Sequence, residues 1–256
     1  MGTIKRQTKK PDYGNWTPRI VIYIPLAIAL LFLASGFMWS FFLIPAVFFL
    51  LVAAFIFYVR FKLSPQAGNV QDSIWSFVIE HLDWSGEGIA LDIGCGNGAL
   101  TIKLAQKYPQ AQVLGIDYWG KKWDYSRSVC ESNAVIEVVS DRVTFQRASA
   151  ASLPFPDEYF DAAVSNFVFH EVGGVKDKRD VIREALRVLK KGGKFAFQDE
   201  FLIKKMYGDP DALITTIKRW GITKVEFIQT RDLPFIPSLL KAPFILGTMA
   251  MIRGEK

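Results

Sequence analysis

Leu91-Asp92-Ile93-Gly94-Cys95-Gly96-Asn97-Gly98 is the stretch that decides the fold. The apolar run Ile89–Ile93 gives way to three glycines and then to the helical pattern Ala99–Lys107, so a short buried strand turns here into a helix. Glycines at such a junction let the backbone approach a ligand closely, and the helix N-terminus offers N–H donors. About 20 residues further on, Gly115-Ile116-Asp117 puts a carboxylate at the end of the next apolar run, where it can hold ribose hydroxyls. Together these features predict a nucleotide-type cofactor site. They leave the cofactor open, because Gly94-x-Gly96-x-x-Ala99 satisfies the relaxed dinucleotide fingerprint and Asp117 would serve NAD equally well.

Around this loop, short β-rich runs alternate with amphipathic helical stretches, which predicts an α/β fold with helices on both faces of a parallel sheet. Expected strands are Ile89–Ile93, Gln112–Ile116, Arg142–Arg147, Phe160–Ser165 and Lys194–Gln198, with Lys224–Ile228 and Gly247–Ile252 as the last two. Gln71–Leu82 reads as an opening helix with Ile74, Trp75, Val78, Ile79 and Leu82 on one side. Asp177–Leu189 reads as another, stopped by Lys190-Lys191-Gly192-Gly193.

Towards the N-terminus the character changes. From Ile20 to Val59 no residue is charged, a run of about 40 positions, whereas a bilayer core needs about 20 helical residues. The reading is therefore two spans, Ile20–Ala34 and Trp39–Tyr58, reversed through Ser35-Gly36-Phe37-Met38-Trp39-Ser40. Pro25 and Pro45 are tolerable in such helices, and Tyr23, Trp39 and Tyr58 suit the interfaces. The run is too long for the apolar core of a cleaved signal peptide, and Met1-Gly2-Thr3-Ile4-Lys5-Arg6 lacks the hydroxyl residue of a myristoylation signal. The expected layout is a basic tail (1–19), a transmembrane hairpin (20–59), a linker (60–70) and a catalytic domain (71–256). Cations flank both outer ends of the hairpin, which puts both termini and the catalytic domain on the cytoplasmic side.

The net charge of +6 is accounted for by Lys5, Arg6, Lys9, Lys10 and Arg19 against Asp12, with Arg60 and Lys62; the remainder is formally neutral. The basic charge thus brackets the apolar run and gives a nucleic-acid partner no support. Cys95 and Cys130 alone exclude a disulfide scaffold, and with His81 and His170 widely separated a metal site has no support either.

Three features separate the cofactor readings. Asp92 puts an acid in what would be the apolar strand of a dinucleotide fold, and the third glycine arrives early, at Gly98. Downstream, Leu153-Pro154-Phe155-Pro156-Asp157-Glu158-Tyr159-Phe160-Asp161 introduces the fourth strand, and Leu186-Arg187-Val188-Leu189-Lys190-Lys191-Gly192-Gly193-Lys194 the fifth. From about Gln71 onward, this ordered set resembles the class I S-adenosylmethionine-dependent methyltransferases, especially the small-molecule branch similar to quinone-biosynthesis C-methyltransferases. The resemblance implies a doubly wound seven-stranded sheet of order 3-2-1-4-5-7-6 with the last strand antiparallel. It implies S-adenosylmethionine as cofactor, with Gly94, Cys95, Gly96, Asn97 and Gly98 cradling its methionine part. It further implies that Asp92 orders that loop and the cofactor's ammonium group, that Asp117 binds the ribose, that Tyr118 packs on adenine, and that Asn166 faces the cofactor. Ser149, beside Ala150, stands where such proteins commonly carry an acid for the adenine amino group, a departure that shifts adenine recognition toward backbone groups.

His170, Glu171, Asp199 and Glu200 fall near the carboxyl ends of the fourth and fifth strands, and His170 is the best candidate for a proton-removing base. Glu171 and Glu200 read as solvated or capping charges, His81 as a histidine at the end of its helix, and Lys121-Lys122-Trp123-Asp124-Tyr125 as a helix start. The apolar connection Leu233–Leu246 is either a lid for a lipophilic acceptor or a buried loop. With the hairpin, it tilts the expected substrate toward a lipid or quinone-like molecule. A nicotinamide-dependent oxidoreductase and a non-catalytic S-adenosylmethionine-binding membrane protein are the alternatives.

Overall fold

A computed structural model describes residues 10–65, 67–120 and 124–256. Lys5, Arg6 and Lys9 of the basic tail, the myristoylation-type start, Gln66 of the linker and Lys121–Trp123 lie outside the described residues. Among the described residues the chain forms two compact units, Gly14–Ser73 with Asp124 in one, and the tail through Tyr13 with Ile74–Gly120 and Tyr125–Lys256 in the other.

In the first unit, α1 (Ile20–Gly36) and α2 (Leu43–Leu63, entered through a 3-10 turn at Ser40–Phe42) are apolar helices broken at Phe37–Trp39. Ala29, Ala46 and Ala53 are buried, so small side chains let the helices approach, and Phe32 stacks on Phe42 and Phe49. The segment Ser40–Leu63 has 24 residues, about 36 Å of helix, enough for a bilayer core of about 30 Å. The 17 residues of α1 reach only about 25 Å. Of the two expected spans, one helix among the described residues is therefore long and apolar enough to cross. Pro45 also differs from expectation. It lies in the first turn of α2, where a missing N–H leaves no carbonyl unpaired. The linker is shorter than 60–70, since α2 runs through Leu63 and α3 (Val70–Glu80) follows closely.

The second unit holds β1 (Ile89–Ile93), α4 (Ala99–Lys107), β2 (Gln112–Asp117), α5 (Arg127–Ile136), β3 (Val143–Arg147), β4 (Phe160–Asn166), α6 (Arg179–Arg187), β5 (Leu189–Asp199), α7 (Lys204–Tyr207), α8 (Pro210–Arg219), β6 (Lys224–Ile228) and β7 (Ala250–Glu255). The seven strands run in the order β3-β2-β1-β4-β5-β7-β6. All neighbours are parallel except β7, which is antiparallel to both β5 and β6. The central strands β1 and β4 are almost wholly buried, as a sheet covered on both faces requires. Amphipathic α6 supplies Val181, Ile182, Ala185 and Leu186 to a core shared with Phe160, Phe195 and Phe197.

Two strand expectations need correction. Lys190–Gly193 does not stop a helix in solvent; it belongs to β5, whose register slips between Phe160 and Ala162 while Gly192 and Gly193 pair with Lys256. The final strand begins at Ala250 and runs to Glu255, beyond the expected Gly247–Ile252. The strand order puts β1 and β4 beside each other at the sheet's centre, where the chain leaves in opposite directions. Ligands of open α/β sheets bind at the carboxyl edge of such a point.

Candidate functional site

The glycine loop is held by the strand next to it. Gly94 and Cys95 both donate backbone N–H bonds to the Ile116 carbonyl, at 2.8 and 2.9 Å. Gly96 donates to Asp117 Oδ2 at 2.9 Å, and Gly98 to the Cys95 carbonyl. These donors therefore shape the loop and are not left for a ligand. Gly94 has φ near +75°, and a Cβ there would run into Val168 from the loop after β4. Both the backbone angle and the space require glycine.

Asp92 is 1% exposed and accepts from Thr101 Oγ1 at 2.6 Å, tying β1 to the first turn of α4. Burial pushes its carboxyl up to about 7, against the Thr101 hydrogen bonds that favour the ionised form. Cys95 is buried, and its thiol is pushed up by burial and by Cys130. Cys130 in turn donates to the Gly96 carbonyl at 3.1 Å, and both cysteines are unbridged.

Asp117 is the hinge between loop and strand. Besides Gly96, it accepts from Trp119 N at 2.7 Å, while the Trp119 indole N–H donates to the Gly96 carbonyl at 2.9 Å. Burial raises the Asp117 carboxyl, and the backbone N–H groups of Trp119, Gly96 and Tyr118 pull it back. Trp119 sits at φ +45°. A bulky residue in the left-handed region is strained, and such strain gathers at functional sites. Tyr118 is exposed, with the Arg147 guanidinium 4.9 Å over its ring, so one face of that ring is already taken. The Ser149 hydroxyl accepts from Ala151 N at 3.2 Å in a local turn that includes Ala150.

Asn97 is buried and accepts from Ser126 N, and Ser126 caps α5 by accepting from Val129 N. This cap puts the start of α5 at Arg127, past the expected helix start at Lys121–Tyr125. Asn133 of α5 donates to the Asn97 carbonyl at 3.0 Å and to the Asp12 carbonyl at 2.8 Å, and accepts from Asp12 N at 2.9 Å. The N-terminal tail is thus hydrogen-bonded through one buried asparagine to the glycine loop, and Tyr13 packs edge-on against Trp75.

Across the edge, Asn166 ends β4, and its Oδ1 is buried without a hydrogen-bond partner. Phe167 follows at φ +58°. Asp199, at the end of β5, then organises the next turn. Its Oδ2 accepts from the backbone of Val168, Phe169 and His170 at 3.0, 2.7 and 3.4 Å. Its Oδ1 accepts from Glu200 N at 2.6 Å and meets His170 Nδ1 at 2.7 Å. An acceptor on that side assigns the proton to Nδ1 and leaves Nε2 as the basic nitrogen of the neutral ring. Burial by itself would lower the His170 pKa, but the Asp199 hydrogen bond and charge, aided by Glu200 and Glu171, raise it above the ordinary value. Glu200 is not a freely solvated charge, since burial raises it too. His81 closes α3, with Nδ1 2.8 Å from the Phe77 carbonyl and its ring on Phe77.

The site thus joins the loop Gly94–Gly98, Asp117 and Asn166 on one side with the His170–Asp199 pair on the other. Comparison with known proteins gives it a class. Residues 91–197 match the family described as methyltransferase domain. This segment is similar to methyltransferase domains. Over 118 residues the chain is 36% identical to 27-O-demethylrifamycin SV methyltransferase of Amycolatopsis mediterranei, covering 46% of this chain and 40% of that one. Over 158 residues it is 34% identical to 2-phytyl-1,4-naphtoquinone methyltransferase of Synechococcus elongatus, covering 54% and 60%. The chain therefore spans from two fifths to three fifths of these relatives. Geranyl diphosphate C-methyltransferase of Streptomyces coelicolor, solved with S-adenosyl-L-homocysteine, shares the fold at a TM-score of 0.55 and 13% identity, over 73% of this chain and 80% of that one. One feature of this edge suits a bound ligand such as S-adenosylmethionine: the Asn166 oxygen is buried without a partner.

Trp119, Thr101, Ser126 and Asn133 were not singled out by sequence reasoning. The bonds that tie Thr101 to Asp92, Trp119 to Gly96, Ser126 to Asn97 and Asn133 to Asp12 span 9 to 121 positions, which no local pattern encodes.

Proposed function

We propose that the whole chain is a membrane-anchored methyltransferase that moves a methyl group from S-adenosylmethionine to a small lipophilic acceptor of lipid or quinone-like character. The bound cofactor would supply an electrophilic methyl group on a sulfonium centre. Asp117 would hold the ribose, Gly94–Gly98 with Asp92 behind them the methionine part, and Asn166 the cofactor's inner side. Tyr118 would bear on adenine through its free face, with Ser149 and Ala150 contributing backbone groups. His170 would take a proton from the acceptor at Nε2 while Asp199 holds Nδ1. Exclusion of water and alignment of the acceptor supply the rest of the rate.

The observation that carries this reading is the His170–Asp199 pair at 2.7 Å, at the same sheet edge as the glycine loop of a segment similar to methyltransferase domains. Membrane attachment is supported by the apolar segment Ser40–Leu63, and both termini are taken as cytoplasmic. A lipophilic acceptor is supported by the connection between β6 and β7. Ile236, Leu240 and Leu246 anchor it, while Leu239 and Phe244 stand 58% and 78% exposed, apolar side chains turned to the surface. The Synechococcus relative is named for an acceptor of this class.

The test is methyl transfer by the detergent-purified full chain from methyl-labelled cofactor into membrane extracts. Label in the solvent-extracted lipid fraction, lost in His170→Ala, is the expected result. Label confined to protein or to water-soluble molecules would refute the lipophilic acceptor.

A further inference from the structure

We propose that Gln198 and Thr230, with Asn166 beside them, form a polar subsite for the oxygen-bearing head of a neutral methyl acceptor. The inference rests on the methyl-transfer reading above and narrows it to acceptors carrying a hydroxyl or carbonyl on an apolar body. Four buried atoms carry the argument: both amide atoms of Gln198, the Thr230 hydroxyl oxygen and Asn166 Oδ1, none of which has a hydrogen-bond partner. Gln198 is 1% exposed and Thr230 fully buried. Buried polar groups without partners are rare in folded chains, and several on one face ask for a ligand.

The sheet register brings them together. Asn166 lies opposite Gln198 in the β4–β5 pair, and Gln198 opposite Met251 in the β5–β7 pair. Met251 lies opposite Ile228 in the β6–β7 pair, and the backbone remains extended at Gln229. Alternation along the strand therefore returns Thr230 to the face that Ile228, Gln198 and Asn166 share. Two residues earlier on the same face stand Val164 and Ala196, buried and apolar like Met251. The side chains at this edge are an amide pair and a hydroxyl, each able to donate and to accept, with no charge of their own. That chemistry fits a neutral hydroxyl or carbonyl above an apolar floor and offers no counter-charge to a carboxylate or an amine. In the β1–β4 pair Ile93, the residue before the glycine loop, lies opposite Ser165, one position before Asn166, so this edge adjoins the loop.

The experiment uses the full chain in detergent micelles with S-adenosylhomocysteine present, and two probes: naphthohydroquinone, and dimethylnaphthalene as the same ring body without oxygen. Gln198→Met and Thr230→Val replace each polar group by an apolar one of similar shape. Expected are preference of the wild type for the hydroquinone and a loss of about tenfold in its affinity in each variant. Dimethylnaphthalene and S-adenosylhomocysteine binding should be unchanged. The ligand-free melting temperature of each variant should equal or exceed the wild type, because an unsatisfied group has been removed from the interior. A merely structural role predicts the reverse, a lower melting temperature with hydroquinone affinity intact, and that result would overturn the proposal. Equal wild-type affinity for both probes, or no binding of the hydroquinone, would overturn it too. Failure to bind S-adenosylhomocysteine would instead sink the methyl-transfer reading, and the two-probe comparison would still judge the subsite.

Discussion

Asp199→Asn is the perturbation that reaches furthest into this site. The carboxylate accepts four backbone N–H bonds, those of Val168, Phe169, His170 and Glu200, and also meets His170 Nδ1. Donors face both oxygens. Whichever way an asparagine turns, its NH2 group points at N–H groups, so the variant loses charge-assisted bonds on one side entirely. Each such bond contributes about 1.5–3 kcal/mol, and folding stability should fall by about 2–4 kcal/mol. The imidazole gives a second, independent readout. In the wild type the folded pKa of His170 is raised, so its contribution to stability is complete below the unfolded value near 6.5 and is lost as pH rises through the folded value. Without the Asp199 charge, burial dominates and the folded pKa falls below the unfolded one. The variant should then gain stability as pH rises toward about 6.5, the opposite slope. Denaturant unfolding about one unit either side of that pH, with an NMR titration of the ring, reads both effects. Turnover should drop between about a hundredfold and ten-thousandfold if proton removal contributes to the rate. Unchanged stability with a His170 titration identical to the wild type would refute the reasoning.

Three further outcomes follow from the loop side. Asp117→Ala should weaken S-adenosylhomocysteine binding by about 1.5–3 kcal/mol, measured calorimetrically, and equal affinity would remove the ribose assignment. Asp92→Asn should flatten the pH dependence of stability: a carboxyl raised to about 7 makes the folded protein lose stability as pH climbs from about 4 to 7, by an order of 4 kcal/mol, and the amide removes that loss. Parallel unfolding curves for the two proteins across that range would contradict the assignment. Asn133→Ala should speed hydrogen exchange at the Asp12 amide and weaken cofactor binding by about 1 kcal/mol, since one side chain serves both the tail and the Asn97 carbonyl. Fast exchange with cofactor affinity unchanged would confine Asn133 to fastening the tail.

Much of this arrangement is legible in the sequence because it is local. The turn from Ile93 into Ala99 needs glycines in consecutive tight positions, and β1, α4 and β6 lie where hydrophobic periodicity and their flanking turns put them. The extent of α5 is not legible because its buried positions include Cys130 and Asn133, which break an apolar stripe. α8 opens at Pro210 and buries only Leu213 and Ile217, two positions in ten residues, too sparse a stripe to read. The run Lys190-Lys191-Gly192-Gly193 reads as solvent punctuation, yet the C-terminal Lys256 pairs with it and holds it in the sheet. The reversal read at Ser35–Ser40 is where α1 ends, at Gly36, but an uncharged run does not by itself report whether each half is long enough to cross, and the 17 residues of α1 are not. For the site, residue types were readable and partnerships were not. His170 and Asp199 both stand out as candidates, but only the pairing of β4 with β5 puts Nδ1 against Oδ1. Gln198 and Thr230 carry no sequence signal, since an unpartnered side chain is a property of the packed sheet.

The central claim, a methyltransferase built on the Gly94–Gly98 loop and Asp117, is tested most directly by calorimetric titration of the detergent-purified full chain with S-adenosylhomocysteine and, separately, with NAD. Saturable one-to-one binding of S-adenosylhomocysteine and none of NAD is the predicted result. Binding of NAD alone, or of neither, would contradict it.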